Sequence, residues 1–306
     1  MHKLSIIIIT WNNEDIIERC LNSLDFFDAS VEIIVVDNHS TDRTVEIIET
    51  RYPSVKLIKN NSNRGYAKAN NQAIEISSSD YILLLNSDAF VLKGSIESLI
   101  DFMNINKSVG IAGPQLINPD GTWQRSYGRF PTISFQLRNL LQIQRVDRLI
   151  NKWKWNHSQK DYPVDYIEGA CMLIRRDVIK EIGLLDEDYF FYGEDADFCY
   201  RAKKAGWKVY FVPGSKVVHL RGASSTKKDN YKYMIPLLES QYCFIKKHFN
   251  SLYLTIWKII VKGAVIFRIY FNQLKYHLLS IINRHKKRDN IYQKIIVLQK
   301  LIEALK

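Results

Sequence analysis

The sequence predicts an α/β fold: a doubly wound, mostly parallel sheet, followed by a helical, basic, amphipathic C-terminal extension. Three observations predict it. Short apolar runs alternate with helical patterns, the residues after each run are polar, and the charge divides sharply near residue 220. Of the formal net charge of +11, residues 221–306 hold 17 Lys+Arg against 4 Asp+Glu, while residues 1–220 hold 26 against 28. The basic character therefore belongs to the tail, and the first 220 residues form a near-neutral domain with a separate task.

Residues 4–9 (LSIIII) are too few to cross a membrane and lack the small-residue cleavage site of a signal peptide, so they read as a buried strand. Similar runs at 31–36, 55–58 and 81–85 enclose helical patterns at 14–24, 42–50 and 67–76. Strands alternating with helices give a parallel sheet, whose ligands bind beyond the carboxyl ends of the strands. There the chain places Thr10-Trp11-Asn12, Asp37-Asn38-His39-Ser40, residues 60–64 and Asn86-Ser87-Asp88. Residues 118–165, rich in Arg, Trp and Gln, read as loop and helix over this crevice. Order returns with an apolar stretch at 170–174, a helix at 194–205, and strands near 209–212 and 216–218.

With 306 residues, 46% hydrophobic and 25% charged, the chain can bury a sizeable core, which excludes disorder, collagen and a disulfide scaffold. Four cysteines (Cys20, Cys171, Cys199, Cys243) form no CxxC pair, arguing against a zinc or redox motif and for a reducing, cytoplasmic setting. No GxGxxG follows a strand and no GxxxxGK[ST] occurs, which argues against dinucleotide and P-loop enzymes.

Asp37 ends the second strand, where a carboxylate can accept a hydrogen bond from a base imide or a ribose hydroxyl. The alternative is local: Ser40 or Thr41 caps the next helix, and Asp37 and Asp42 favour its positive end. Asp88 ends the fourth strand, where it can hold a divalent ion bridging two phosphates or serve as a turn residue. Residues 186–197 then hold six carboxylates in twelve positions, interleaved with aromatics. Acids at a helix start suit its dipole; burial among aromatics raises a carboxylate's pKa toward the range of a general base.

In order, the chain carries VVDNxSxD, Asn63-Arg64-Gly65-Tyr66-Ala67 with Asn70-Asn71, Leu-Asn-Ser-Asp, Gly169-Ala170, Glu194-Asp195 followed by Gly206-Trp207, and His219 with Gly222 and Ser224. This series resembles the family-2 inverting glycosyltransferases, most closely their rhamnosyltransferase-like branch, over residues 3–225. The resemblance implies a GT-A fold, a nucleotide-diphosphate-sugar donor and a catalytic domain over 1–225, with a nucleotide-sugar-binding half (1–117) and an acceptor and catalytic half (118–225). It implies that Thr10, Asn12, Asp37, Arg64 and Asn86 hold the nucleotide. Asp88 matches the last acid of the metal-binding DxD, whose first position here is Asn86. His219 matches a metal-binding histidine of some relatives, and otherwise reads as a rim histidine. Mg²⁺ or Mn²⁺ is the implied cofactor. Asp195 matches the catalytic base, with Glu194 and Asp197 in support and Asp197 on the acceptor side. Trp207 reads either as a platform for a sugar or lipid acceptor or as core. The implied reaction transfers a sugar, with L-rhamnose on deoxythymidine diphosphate the first choice, to a glycan or lipid-linked acceptor.

The tail, 226–306, contains a strongly apolar stretch at 251–276 broken by Lys258, Lys262, Arg268 and Lys275, which share one sector of about 140° on a helix. A helix with a basic stripe and a broad apolar face lies in the plane of a bilayer, and the cluster 284–288 adds attraction to anionic lipid. The expectation is a peripheral enzyme on the inner face of the cell membrane. The alternative is that this helix packs on the catalytic domain or on its twin in a homodimer. A nucleic-acid-binding tail is the competing class; it is disfavoured because the positive charge is interleaved with aliphatic residues and no recognised module is present.

Overall fold

The computed structural model describes residues 3–28, 30–140, 160–220, 234–281 and 285–304. In chain order the elements are β1 (Leu4–Thr10), α1 (Ile17–Asn22), β2 (Val31–Asp37), α2 (Thr44–Arg51), β3 (Lys56–Lys59), α3 (Tyr66–Ile76), β4 (Tyr81–Asn86), β5 (Ala89–Val91), α4 (Ser95–Ile105), β6 (Val109–Ile117), β7 (Tyr127–Gly128), α5 (Ile133–Leu140), β8 (Tyr162–Pro163), β9 (Tyr166–Ile167), β10 (Cys171–Arg175), α6 (Arg176–Ile182), α7 (Glu194–Lys204), β11 (Lys208–His219), α8 (Met234–His248), α9 (Ser251–Ile281) and α10 (His285–Ala304).

These form two compact units, Met1–Phe130 with Lys152–Thr226, and Pro131–Asn151 with Lys227–Lys306. The first is built on a mixed, mostly parallel sheet in the order β3-β2-β1-β4-β10-β6-β11-β5. β1 lies parallel to both β2 and β4, and its Ile6, Ile7 and Ile8 are fully buried; strands covered on both faces read as unbroken apolar runs for this reason. Between β4 and β6 runs β10, antiparallel to both, so its first residue Cys171 stands beside Leu85 at the carboxyl end of β4. The register pairs Thr10 with Asp37 and Ile9 with Asn86, lining the strand-end polar groups along one rim. The two strands expected near 209–212 and 216–218 are one strand, β11, whose pairing with β6 slips between Val212 and Lys216. Pro213 and Gly214 occupy the slip, as residues poor at ladder pairing do.

Within the span 118–225, which the resemblance assigns to the acceptor and catalytic half, the segment carrying α5 groups with the C-terminal helices. The indole N–H of the fully buried Trp257 donates to the Pro131 carbonyl at 2.9 Å, the Ile133 N–H donates to the Tyr253 hydroxyl at 2.9 Å, and the Gln136 amide donates to Gln241 at 2.8 Å. α9 buries Trp257, Val261, Val265 and Ile269 at four-residue spacing, and α10 buries Ile291, Ile295, Leu298 and Leu301, the stripes of bundle-forming helices. No described helix is long and apolar enough to cross a membrane. Gly222, Ser224, residues 141–159 and the side chains of the 284–288 cluster lie outside the description.

Candidate active site

The site grows from the carboxyl ends of β1, β2 and β4. Thr10 closes β1, buried, its hydroxyl donating to Asn13 Oδ1 at 3.2 Å. The same Asn13 oxygen accepts from the Ser87 hydroxyl at 2.9 Å, tying the β1 and β4 ends together. Asn12 is exposed at φ 51°, a left-handed conformation asparagine tolerates, and its amide oxygen accepts from the Thr41 N–H at 2.8 Å. Asp37 is 2% exposed; Oδ2 accepts the Ser40 N–H at 3.0 Å, and Oδ1 is buried with no donor among the described residues. A buried acceptor left unpaired costs about 1–3 kcal/mol, a cost tolerated where a ligand supplies the donor.

Arg64 stands exposed on a loop held by asparagines: its N–H donates to Asn38 Oδ1 at 3.1 Å, and the Asn38 amide donates to Asn63 at 3.1 Å and to the Gly65 carbonyl at 3.2 Å. Gly65 is required here twice over. Its φ is +80°, and a Cβ would sit 2.8 Å from the Phe190 carbonyl oxygen.

At the rim, His219 Nε2 stands 3.1 Å from Asp88 Oδ1, and both residues are buried. The Gln124 amide nitrogen donates to Asn118 Oδ1 and to the His219 carbonyl, so its oxygen faces His219 Nδ1 at 2.6 Å and fixes a proton there. Nε2 then points a lone pair at a carboxylate oxygen. Two acceptors this close need a cation, either a second imidazole proton or a metal ion. A histidine whose other nitrogen is hydrogen-bonded to a carbonyl oxygen is the usual form of a metal ligand, and a hard divalent ion needs only one or two protein ligands when phosphates complete its shell. The pair therefore fits Mg²⁺ or Mn²⁺. Among the described residues no group of three acidic, histidine or cysteine ligands exists, so the protein would supply a minority of the shell.

β10 delivers the second half of the site. The Asn86 N–H donates to the Ala170 carbonyl at 3.0 Å, and the Gly169 N–H donates to Asp195 Oδ2 at 3.0 Å, while Asp195 Oδ1 accepts from Ala196 at 2.7 Å. Asp195 and Glu194 open α7 after Gly193, where helix-terminal N–H groups favour acids. Burial, then the nearby Asp195 charge, pushes the Glu194 carboxyl well above the ordinary range, and Glu194 Oε2 is buried without a donor. Burial, then the Glu168 charge, raises Asp195 less, because the Gly169 and Ala196 N–H groups and Arg125 favour its ionised form. Of the two carboxyls, Glu194 is the one pushed further toward its protonated form.

Two residues expected on the acceptor side are elsewhere. Asp197 is fully buried and accepts from Arg201 Nε at 2.7 Å, an internal pair that braces α7. Trp207 precedes the start of β11, beside Gly110 at the start of β6, and its indole N–H donates to Glu181 at 2.7 Å. That is the opposite end of the sheet from Asp37 and Asp88. The sequence assigns no role to Gln124, Asn13 or the Arg125–Glu168 ion pair, and names Tyr66 only as part of a motif.

A doubly wound sheet with a carboxylate at one strand end, an Asp–His pair at another and a buried Glu–Asp pair beyond is the arrangement of a sugar-transferring enzyme of the GT-A fold. The chain belongs to glycosyl transferase family 2, which residues 5–183 match. It is 28% identical over 282 residues to an N-acetylglucosaminyl-diphospho-decaprenol L-rhamnosyltransferase of Mycobacterium tuberculosis, covering 87% of this chain and 91% of that one. It is 27% identical over 224 residues to the rhamnosyltransferase WbbL of Escherichia coli, covering 70% and 82%. The fold matches that of the mannosyltransferase PcManGT from Pyrobaculum calidifontis, solved with GDP-Man and Mn²⁺, with a TM-score of 0.60 at 16% identity, over 99% of this chain and 85% of that one.

Proposed function

We propose that this glycosyltransferase moves L-rhamnose, with inversion, from a nucleoside-diphosphate donor to a hydroxyl of a lipid-linked glycan. The observation that carries the reading is the alignment of an unpaired buried Asp37 oxygen, the Asp88–His219 pair and the Asp195 carboxylate along one rim. Asp37 takes the hydrogen-bond donor of the nucleoside, Thr10 and Asn12 shape the floor beside it, and Arg64 and Asn86 flank the diphosphate. Asp88 and His219 would hold the divalent ion, which when bound offsets the charge of the departing diphosphate. Asp195 accepts the proton of the acceptor hydroxyl as that oxygen bonds to the anomeric carbon and the bond to the diphosphate breaks on the opposite face. The rhamnosyl donor follows the two named rhamnosyltransferases, and the lipid-diphosphate acceptor follows the Mycobacterium tuberculosis relative. The test is transfer from dTDP-L-rhamnose to an N-acetylglucosaminyl-diphospho-lipid with Mg²⁺ or Mn²⁺. Transfer of another sugar in its place replaces the donor assignment, and no transfer from any nucleotide sugar rejects the reading.

The tail brings the enzyme to its acceptor at an anionic membrane surface. Opposite its buried stripe, α9 exposes Leu252, Ile256, Ile259, Ile266, Tyr270 and Leu274, with Ile259 and Tyr270 65% and 68% exposed. No acid occurs between Glu239 and Asp289. A chain segment with basic residues and no acid is attracted to anionic lipid. The expected result is salt-sensitive co-sedimentation with phosphatidylglycerol vesicles that is lost in Ile259→Glu/Tyr270→Glu; a vesicle-indifferent dimer rejects this part.

A further inference from the structure

We propose that Tyr66 is a positioning residue: its hydroxyl holds the Gly169 backbone, and through it the orientation of Asp195, from the helix that begins at the donor-side loop. The proposal rests on the reading of Asp195 as the base. Tyr66 is the first residue of α3, directly after Gly65 and two residues from Arg64. Its N–H donates to the Phe190 carbonyl at 3.2 Å, fixing its own backbone against the loop that precedes α7. Its hydroxyl donates to the Gly169 carbonyl at 2.9 Å, a contact between residues 103 positions apart.

Gly169 is thereby held at both of its peptide groups, by Tyr66 at the carbonyl and by Asp195 at the N–H. Its neighbours are held as well: the Glu168 N–H donates to the Ser126 carbonyl at 3.0 Å, and the Ala170 carbonyl accepts from Asn86. Glycine has no side chain with which to fix its own torsions, so the direction of the Gly169 N–H depends on such partners. Burial, then the charges of Glu194 and Asp195, pushes the Tyr66 hydroxyl's pKa up, so it stays protonated and remains a donor wherever the enzyme works. A phenylalanine ring would fill the same space. The hydroxyl is thus the part of this side chain whose burial demands the Gly169 bond.

The groups that bear on Asp195 come from several elements: Glu194 and Cys199 on α7, Tyr166 on β9 and Glu168 after it, Arg125 before β7, and Tyr66 on α3. Glu168 favours the protonated base, while the Gly169 N–H and Arg125 favour the ionised one. Freeing the Gly169 peptide removes an aligned donor from the carboxylate, so the base should hold its proton to higher pH.

The experiment is Tyr66→Phe, compared with wild type and with Asp195→Asn. The carboxyl ¹³C signal of Asp195, assigned by its loss in Asp195→Asn, is titrated in the full chain, and dTDP-L-rhamnose turnover is followed against pH. In Tyr66→Phe the Asp195 midpoint and the acid limb of kcat move to higher pH. The kcat falls about tenfold, with donor KM and Tm near wild type. An Asp195 midpoint unchanged in Tyr66→Phe overturns the positioning role even if turnover falls. Wild-type turnover by Asp195→Asn instead overturns the base assignment and the proposal with it.

Discussion

His219 Nε2 and Asp88 Oδ1 face each other at 3.1 Å, while Gln124 holds the far side of the imidazole at 2.6 Å. Partners that orient a ligating histidine typically contribute 10–100-fold to metal affinity. Gln124→Leu should therefore weaken Mn²⁺ binding, measured by electron paramagnetic resonance in the presence of a nucleoside diphosphate, by about that factor, and His219→Ala by more. Equal Mn²⁺ affinity in all three proteins removes the pair from metal binding.

Asp195→Asn keeps the volume and one of the two backbone hydrogen bonds, because its amide nitrogen cannot accept from the second N–H, and it cannot take a proton. Loss of general-base help is worth about 10²–10⁴ in rate, so kcat should drop by that range while donor binding by calorimetry stays within threefold. Turnover near wild type would falsify the assignment.

Asp37→Asn turns one carboxylate oxygen into an N–H₂ donor. With Oδ2 already taken by the Ser40 N–H, the changed atom is the one left unpaired in the protein. Donor KM should rise about 10–100-fold with kcat changed far less, because a lost hydrogen bond to a buried charged group costs about 1.5–3 kcal/mol. A fall in kcat without a change in KM points to a different role.

Glu194 offers a pH test of stability. Its folded-state pKa is raised by burial and by Asp195, so between the ordinary carboxylate range and that raised value the folded state binds a proton the unfolded state has released. That stability is present at low pH and is lost as pH rises through the folded pKa. Glu194→Gln should raise Tm at pH 8 by several degrees and leave it little changed at pH 4. The same increment at both pH values rejects an ionisation effect.

Trp207→Phe should lower Tm, through loss of the Glu181 bond and of packing on Gly110, and leave the KM for acceptor unchanged. A selective rise in acceptor KM would return Trp207 to the acceptor site.

The donor rim is legible in the sequence because β1, β2 and β4 are covered on both faces: unbroken Ile, Val and Leu runs end abruptly in Thr10, Asp37 and Asn86, and polar residues at such ends have few structural reasons to be there. The rest depends on long-range pairing. Gly169, Tyr66 and Asp195 meet because β10 runs backward between two parallel strands, and nothing local in a five-residue apolar run gives its direction. Gln124 and Arg125 lie in a stretch without periodicity. Trp207 follows a glycine, which says where a helix stops and nothing about which sheet end it reaches. Asp197 was separable: two positions on a helix rotate a side chain about 200°, so it could not share Asp195's surroundings. α5 was hidden because its partners lie more than a hundred residues away.

The reversed strand ties a long stretch of chain to one rim. β6 ends, and β10 begins, at the same rim of the sheet, so the chain from 118 to 170 leaves and returns beside the reacting groups. Both ends of that span carry contacts at the rim, Gln124 at His219 and Gly169 at Asp195, so a change of length near either end would disturb the Asp88–His219 pair or Asp195 while leaving β1, β2 and β4 in register.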